Sequence, residues 1–249
     1  MINSHQFKYL AKMLAATVFV VVLIPTVFLL WTHLSDPTEE LPPIPAGYLD
    51  DISRLNETRV DSVVRLVPDL TKSEQLLRAA LKRGSENGTP ISIGGARHSM
   101  GGHTLNEDGI YIDTDGFNAM SVDVPNLRLH VQAGARWRDI VSYLHKHGLA
   151  VAVMQTNNDF SVGGSMSVNV HGWQHDTGPV SSTVESFRLM LADGTVKQCS
   201  RTENKELFGL AMGGYGLFGV ILNVQLRMVK NIMYRSQHRV VSLDKFQNT

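Results

Sequence analysis

Residues 91–102 read Ile-Ser-Ile-Gly-Gly-Ala-Arg-His-Ser-Met-Gly-Gly, a short β-type run followed by two glycine pairs with a histidine between them. Glycine has no Cβ, so such a stretch can turn through positive φ and present backbone N–H groups to phosphate oxygens at close range. A second segment, residues 160–172, reads Phe-Ser-Val-Gly-Gly-Ser-Met-Ser-Val-Asn-Val-His-Gly and repeats the order of glycine pair then histidine about seventy residues later. Two such segments in one chain predict one large cofactor gripped from two sides.

With 249 residues and 43% hydrophobic content, the chain can bury the core of one large domain or two small ones. Lys plus Arg and Asp plus Glu both total 23, and no basic run occurs, so a nucleic-acid partner is not expected. Cys199 is the single cysteine, which excludes an intrachain disulfide and a cysteine-based metal or iron–sulfur site; a lone thiol at a strand end reads as passive. The pairs His98/His103 and His171/His175 lack the rigid helical spacing and the carboxylate company of a metal site, so no metal is expected.

The N-terminus departs from this globular pattern. Met13 to Trp31 is free of formal charge and long enough to cross a hydrocarbon core of roughly 30 Å as a helix, which Pro25 kinks without excluding. Lys8 and Lys12 precede it, and Asp36, Glu39 and Glu40 follow. This asymmetry predicts a single-pass membrane anchor with its N-terminus in the cytoplasm and the globular part outside. The competing readings are a cleaved signal peptide, for which no Ala-x-Ala site is evident before Asp36, and the reversed topology. No twin-arginine pair marks export of an already folded domain.

Residues 1–34 are thus expected as the anchor and the proline-rich residues 35–58 as a linker. A helix then starts at a capping box, Thr71 with Glu74, repeats Leu76, Leu77, Ala80 and Leu81 on one face, and closes at Asn87-Gly88. Strands are predicted at Ile91 to Ile93, Ile110 to Ile112, Leu127 to Val131 and Leu149 to Met154. A second helix runs from Trp137 to Lys146, with Trp137, Ile140, Val141 and Leu144 on one face, and a hairpin turns at Asp193-Gly194. The fold class is α+β. Gly214-Tyr215-Gly216-Leu217-Phe218-Gly219 fits the dinucleotide fingerprint letter for letter. It sits, however, between a predicted helix at 204–212 and a predicted strand at 220–226, the reverse of what pyrophosphate binding at a helix N-terminus requires, so a Rossmann site is rejected.

The segments 94–102 and 161–172, together with Ala192-Asp-Gly194 and Gly213-Gly-Tyr-Gly-Leu-Phe-Gly-Val-Ile221, resemble in order and spacing the FAD-binding (PCMH-type) domain of the vanillyl-alcohol oxidase and p-cresol methylhydroxylase flavoenzymes. Cytokinin dehydrogenases, gulonolactone-type oxidases and alditol oxidases belong to the same group. The resemblance spans roughly Arg59 to Lys230 and implies an FAD-binding domain over 59–232, built of two α/β subdomains gripping an extended FAD. It assigns Gly94, Gly95, Ala96, Arg97, His98, Ser99 and Met100 to a loop on the pyrophosphate. Gly163, Gly164, Ser167, Asn169, His171 and Gly172 fall along the cofactor in the second segment, and Val220 and Ile221 in the last.

In members where a His-Ser pair ends the first loop, the histidine is joined covalently to the 8α-methyl carbon of the flavin, and His98-Ser99 matches that position. The alternative is that His98 contacts the phosphate loop only. The more usual Gly-x-Gly-His-Ser is Gly-Ala-Arg-His-Ser here, with Arg97 where glycine is common; Arg97 either pairs with a phosphate or makes an outward salt bridge. Asn157 and Asn158 are expected in a loop near the cofactor, while Trp173 and Tyr215 read as core packing more readily than as stacking partners.

The expectation is a membrane-tethered FAD-dependent oxidoreductase that takes a hydride from a carbon bearing a hydroxyl to flavin N5 and passes the electrons to oxygen or another acceptor. An alcohol or sugar-like small molecule is the substrate class implied. An electron-transfer or docking flavoprotein and a flavin-free membrane-bound interaction domain are the alternatives. Residues 233–249, with the run Val240 to Leu243, are expected to open a substrate cap that the chain does not contain.

Overall fold

The computed structural model describes residues 4–35, 42–174, 176–235, 237 and 240–242; His175, Leu243, Asp36, Glu39 and Glu40 lie outside the described residues. It divides into two compact units, Met1–Pro43 and Ile44–Thr249.

The first unit is helical: α1 (Ser4–Val18), a π-helical stretch Phe19–Leu23, and α2 (Ile24–Ser35). The wide turn precedes Pro25, whose ring clashes with the carbonyl four residues back and which has no N–H to offer it, and the Ile24 N–H reaches back to the Phe19 carbonyl instead. Among the described residues, Lys8–Ser35 is the one helix long and apolar enough to cross a membrane. Its three threonine hydroxyls return to carbonyls of the same helix: Thr17 to Met13 at 2.9 Å, Thr26 to Val22 at 2.7 Å and Thr32 to Leu29 at 2.9 Å. Those hydroxyl donors are therefore satisfied within the helix itself.

The second unit mixes sheet and helix. Three parallel strands, β3 (Ser62–Arg65), β5 (Ile110–Asp113) and β4 (Ile91–Gly94), pair in the order β3-β5-β4. The helix α3 (Leu70–Asn87) places Leu77 and Ala80 in a core shared with Ile110 and Ile112. An antiparallel sheet has the order β10-β9-β11-β7-β6, from β6 (Met120–Asp123), β7 (Arg128–Gln132), β9 (Val184–Met190), β10 (Val196–Ser200) and β11 (Val220–Lys230), with β8 (Leu149–Val151) on the far end of β11. Its core holds Trp137, Phe187, Leu129 and Met166. Met190, Val220 and Leu222 of the antiparallel sheet pack in the same cluster as Ile110 and Leu77, which joins the two sheets through one apolar layer.

The α+β reading and the Asp193-Gly194 hairpin match the structure; Gly194 takes φ +80 and β9 pairs with β10. Five local readings are corrected. The cap of α3 is Asp69, whose carboxylate accepts the Lys72 N–H at 2.9 Å, so the helix starts earlier and Thr71 lies in its first turn. Glu74 is instead held by Arg78 at 2.9 Å and Arg188 at 2.7 Å. β8 stops at Val151, because it pairs only with the last residues of β11. In α4 (Trp137–His145), Trp137, Ile140 and Leu144 are buried but Val141 is 40% exposed. Part of the expected linker is structured: β1 (Tyr48–Leu49) pairs with β2 (Thr58–Arg59), and Asp50 and Asp51 between them are buried. Residues 240–242 form no strand.

Candidate functional site

The first glycine loop leaves the end of β4, and close packing dictates its glycines. A Cβ on Gly94 would fall inside the hydroxyl of Tyr111, and one on Gly95 would lie 2.5 Å from Ser161 Oγ and 3.1 Å from Thr114 Oγ1. Gly95 therefore brings the first loop directly against the start of the second segment, where Ser161 precedes the short helix α5 (Val162–Ser167). Gly163 packs just as closely on β7's end: its N–H donates to the Ala133 carbonyl at 2.8 Å, and a Cβ there would meet Ala133 Cβ at 3.0 Å.

The third segment docks on α5 in turn. Gly213 and Tyr215 donate their N–H groups to the carbonyls of Met166 and Ser167, both at 2.9 Å. The loops at 94–102, 161–172 and 213–219, scattered over the sequence, thus form one continuous surface around α5. Large apolar side chains stand in solvent on or next to these loops: Met100 at 66% exposure, Trp173, just after the second loop, at 87%, and Tyr215 and Leu217 at 74% and 83%. Trp173 and Tyr215 are therefore not core residues, as their aromatic character suggested. Trp173 is held outward by its indole N–H, which donates to Thr156 Oγ1 at 2.6 Å. Close backbone packing flanked by exposed aromatic side chains fits a large ligand with an apolar part.

His98 stands in this surface with its ring fixed on three sides. Nδ1 lies 3.0 Å from the Ala96 carbonyl oxygen, Nε2 lies 3.7 Å from Asp159 Oδ2, and the ring tilts against Phe160 at 4.7 Å between centroids. Asp159 was not legible as a site residue. Burial raises its carboxyl, but the Arg136 fork at 3.1 Å and the neighbouring Arg138 and His98 outweigh that and hold it below the usual carboxylate range. Arg136 also reaches Asp115 at 2.8 Å, and Arg138 reaches Asp159 at 2.6 Å.

Several of the predicted residues are tied to neighbours within the chain. Arg97 adopts the left-handed region, φ 53, which explains why glycine suits that position, and its guanidinium donates to the Asp50 carbonyl at 3.2 Å. The amides of Gly101 and Gly102 do not face outward: they donate to the Ser99 carbonyl at 2.8 Å and to Asp51 Oδ2 at 2.9 Å. Asn169, at φ 48, accepts the Ser181 N–H, and His171 is exposed with Nδ1 3.1 Å from the Gly172 carbonyl. Val220 and Ile221 bury their side chains in the core and pair along the sheet with Met190 and Leu189. Asn157 and Asn158 form a loop that α4 anchors: the Trp137 and Arg138 amides donate to the carbonyls of Phe160 and Asn158, at 3.1 and 2.7 Å. Behind it runs a buried polar chain in which Trp137 Nε1 donates to Ser165 Oγ at 2.8 Å and Ser165 Oγ to Gln155 Oε1 at 3.2 Å. Among the described residues, no cluster of histidine, cysteine and carboxylates could hold a metal.

Under the first loop the Tyr111 hydroxyl is buried without a hydrogen-bond partner, and burial pushes its phenol well above the ordinary range against the pull of Arg97. An unsatisfied buried hydroxyl costs roughly 1–3 kcal/mol. Tyr111→Phe is therefore expected to be no less stable than the parent and up to about 1 kcal/mol more so. Thermal unfolding checks this, and a fall of several degrees in midpoint would mean that the hydroxyl has a partner.

Residues 69–200 match the FAD binding domain family. The chain is 34% identical over 134 residues to the L-gulonolactone oxidase of Mus musculus, a match spanning 52% of this chain and 30% of that protein. It is 28% identical over 173 residues to the decaprenylphosphoryl-beta-D-ribose oxidase of Mycolicibacterium smegmatis, spanning 68% and 38%. In fold it is similar to 6-hydroxy-D-nicotine oxidase from Arthrobacter nicotinovorans, with a TM-score of 0.64 at 24% identity over 76% of this chain and 42% of that one. The chain thus covers well under half the length of these relatives.

Proposed function

Because the chain belongs to the FAD binding domain family, we propose that it acts in an FAD-dependent oxidoreductase that takes a hydride from a carbon bearing a hydroxyl group. The observation that supports this reading is the seat of Gly95 on Ser161, which unites two of the three glycine segments into one surface. When bound, FAD supplies the two-electron acceptor for such a carbon; the chain supplies placement. The loops at 94–102 and 161–172 hold the cofactor, and His98, braced by Phe160 and Asp159, sits where the covalent link to the flavin would form. Relatives named as oxidases of a sugar lactone and of alditols point to polyhydroxylated substrates.

The test is to purify the full chain, reconstitute it with FAD and record the flavin spectrum, then add sugar lactones and alditols anaerobically. Bleaching of bound flavin by one of these supports the reading. A chain that takes up no FAD from excess cofactor would refute it.

The apolar helix Lys8–Ser35 is read as a single-pass anchor that leaves the globular unit outside the cytoplasm, on the strength of Lys8 and Lys12 before it and Asp36, Glu39 and Glu40 after it. Protease added to intact cells or spheroplasts is expected to degrade the globular unit. Full protection until lysis would reverse the orientation.

A further inference from the structure

Residues 50–56 precede the stretch matched to the family, yet they hold the first glycine loop at Arg97 and at Gly102. The Ile52 N–H donates to the Arg97 carbonyl at 3.1 Å, and the Arg97 guanidinium returns to the Asp50 carbonyl at 3.2 Å. Five residues on, the Gly102 N–H donates to Asp51 Oδ2 at 2.9 Å, and Asn56 Nδ2 reaches the same oxygen at 2.8 Å. A Cβ at Gly102, which takes φ +67, would stand 3.2 Å from Asn56 Cβ, so the loop passes flush against the segment. Asp51 is itself 3% exposed, and its other oxygen accepts the Ser53 N–H at 2.9 Å and the Ser53 hydroxyl at 2.5 Å.

A carboxylate buried to that degree is retained only when its lone pairs are taken up, and here four donors take them up. Burial alone would raise its carboxyl, but the donors from Ser53, Gly102 and Asn56 hold it below the usual range. One of the four is the loop's own Gly102. That glycine's amide thus serves to anchor the loop, and Arg97 is held at φ 53 by bonds through both its carbonyl and its side chain.

We propose that residues 50–56 form a strap that fixes the 97–102 loop in the shape that receives FAD, with Asp51 as its positioning residue. The inference rests on the FAD reading above. A loop already held in its bound shape does not lose that freedom on binding, so loosening it weakens the ligand without removing a single ligand contact.

The experiment uses the full chain, produced without bound flavin, in the parent, Asp51→Asn and Asn56→Ala forms. Asp51→Asn keeps the shape but turns one acceptor into a donor facing other donors; Asn56→Ala removes the second tie should the first variant fail to fold. Three quantities are read: the FAD concentration giving half-maximal flavin loading, amide exchange of residues 97–102 in the unloaded chain, and the unloaded chain's melting midpoint. Exchange at 97–102 is expected to speed up about tenfold or more while α3 and β11 keep their protection, and half-loading to need about tenfold more FAD, roughly 1.4 kcal/mol by the usual conversion. A purely structural role would lower the melting midpoint and leave the loading of folded protein unchanged. Loading at the parent's FAD concentration, or unchanged exchange at 97–102, overturns the strap. A parent chain that loads no FAD at all overturns the cofactor reading instead, and the strap's purpose with it.

Discussion

Acid precipitation of the flavin-loaded chain is expected to carry the flavin into the pellet with the polypeptide, and His98→Ala to leave it all in the supernatant. His98 reads as the linking residue because its ring is already immobilised: the Ala96 carbonyl lies 3.0 Å from Nδ1 and Phe160 packs on one face. Fixing the nucleophile in advance removes much of the entropy cost of making a bond. With FAD bound, His98 would supply the linking nitrogen, and the Asp159 carboxylate, 3.7 Å from Nε2 and held ionised by Arg136, would stabilise positive charge on that ring. Loss of the ring should cost the Phe160 contact, about 1 kcal/mol, together with the ties to Ala96 and Asp159, but not the seat of Gly95 on Ser161, which forms without it. The variant is therefore expected to bind FAD and stay folded. Flavin absorbance of pellet and supernatant decides the matter; a colourless pellet from the parent would leave FAD bound without a link.

Gly134→Ala is expected to destabilise the domain by about 3 kcal/mol or more, which for a domain of this size lowers the melting midpoint by roughly 6–12 °C. Gly134 follows β7 and donates its N–H to the Phe117 carbonyl at 2.9 Å. A Cβ there would lie inside the Thr114 carbonyl oxygen and 2.7 Å from that of Phe117. Both obstacles are backbone, so no rotamer change relieves them. The strain would not stay local, since Thr114 closes the end of β5 and donates both its N–H, at 3.0 Å, and its hydroxyl, at 3.2 Å, to the Gly94 carbonyl. Pushing Thr114 aside moves the first glycine loop. FAD loading should fall with stability, and a midpoint within two degrees of the parent would show that the crowding at Gly134 is not as tight as the structure has it.

Gly134 marks where sequence reading stopped. It is a lone glycine between Ala133 and Ala135, with no positive φ and no turn signal, and only the approach of Thr114 from the other sheet makes it obligatory. Asp159 is of the same kind: one carboxylate among 23 acidic residues until Arg136 and His98 are brought beside it from other parts of the chain. Trp173 and Tyr215 were misjudged because aromatic residues are usually buried, and their exposure is set by the site they border. Asp50 and Asp51, in a stretch whose prolines read as a linker, owe their burial to the loop that crosses them.

The sequence by itself determined the class of fold, the apolar N-terminal helix, most of the strands and helices and the two glycine segments with His98, because periodicity, turn chemistry and glycine pairs are local signals written in consecutive residues. The tertiary structure alone decided which amides of those segments are tied down within the fold, which side chains brace His98 and which glycines admit no substitute. Those properties depend on distances between residues tens of positions apart, and no local pattern encodes them.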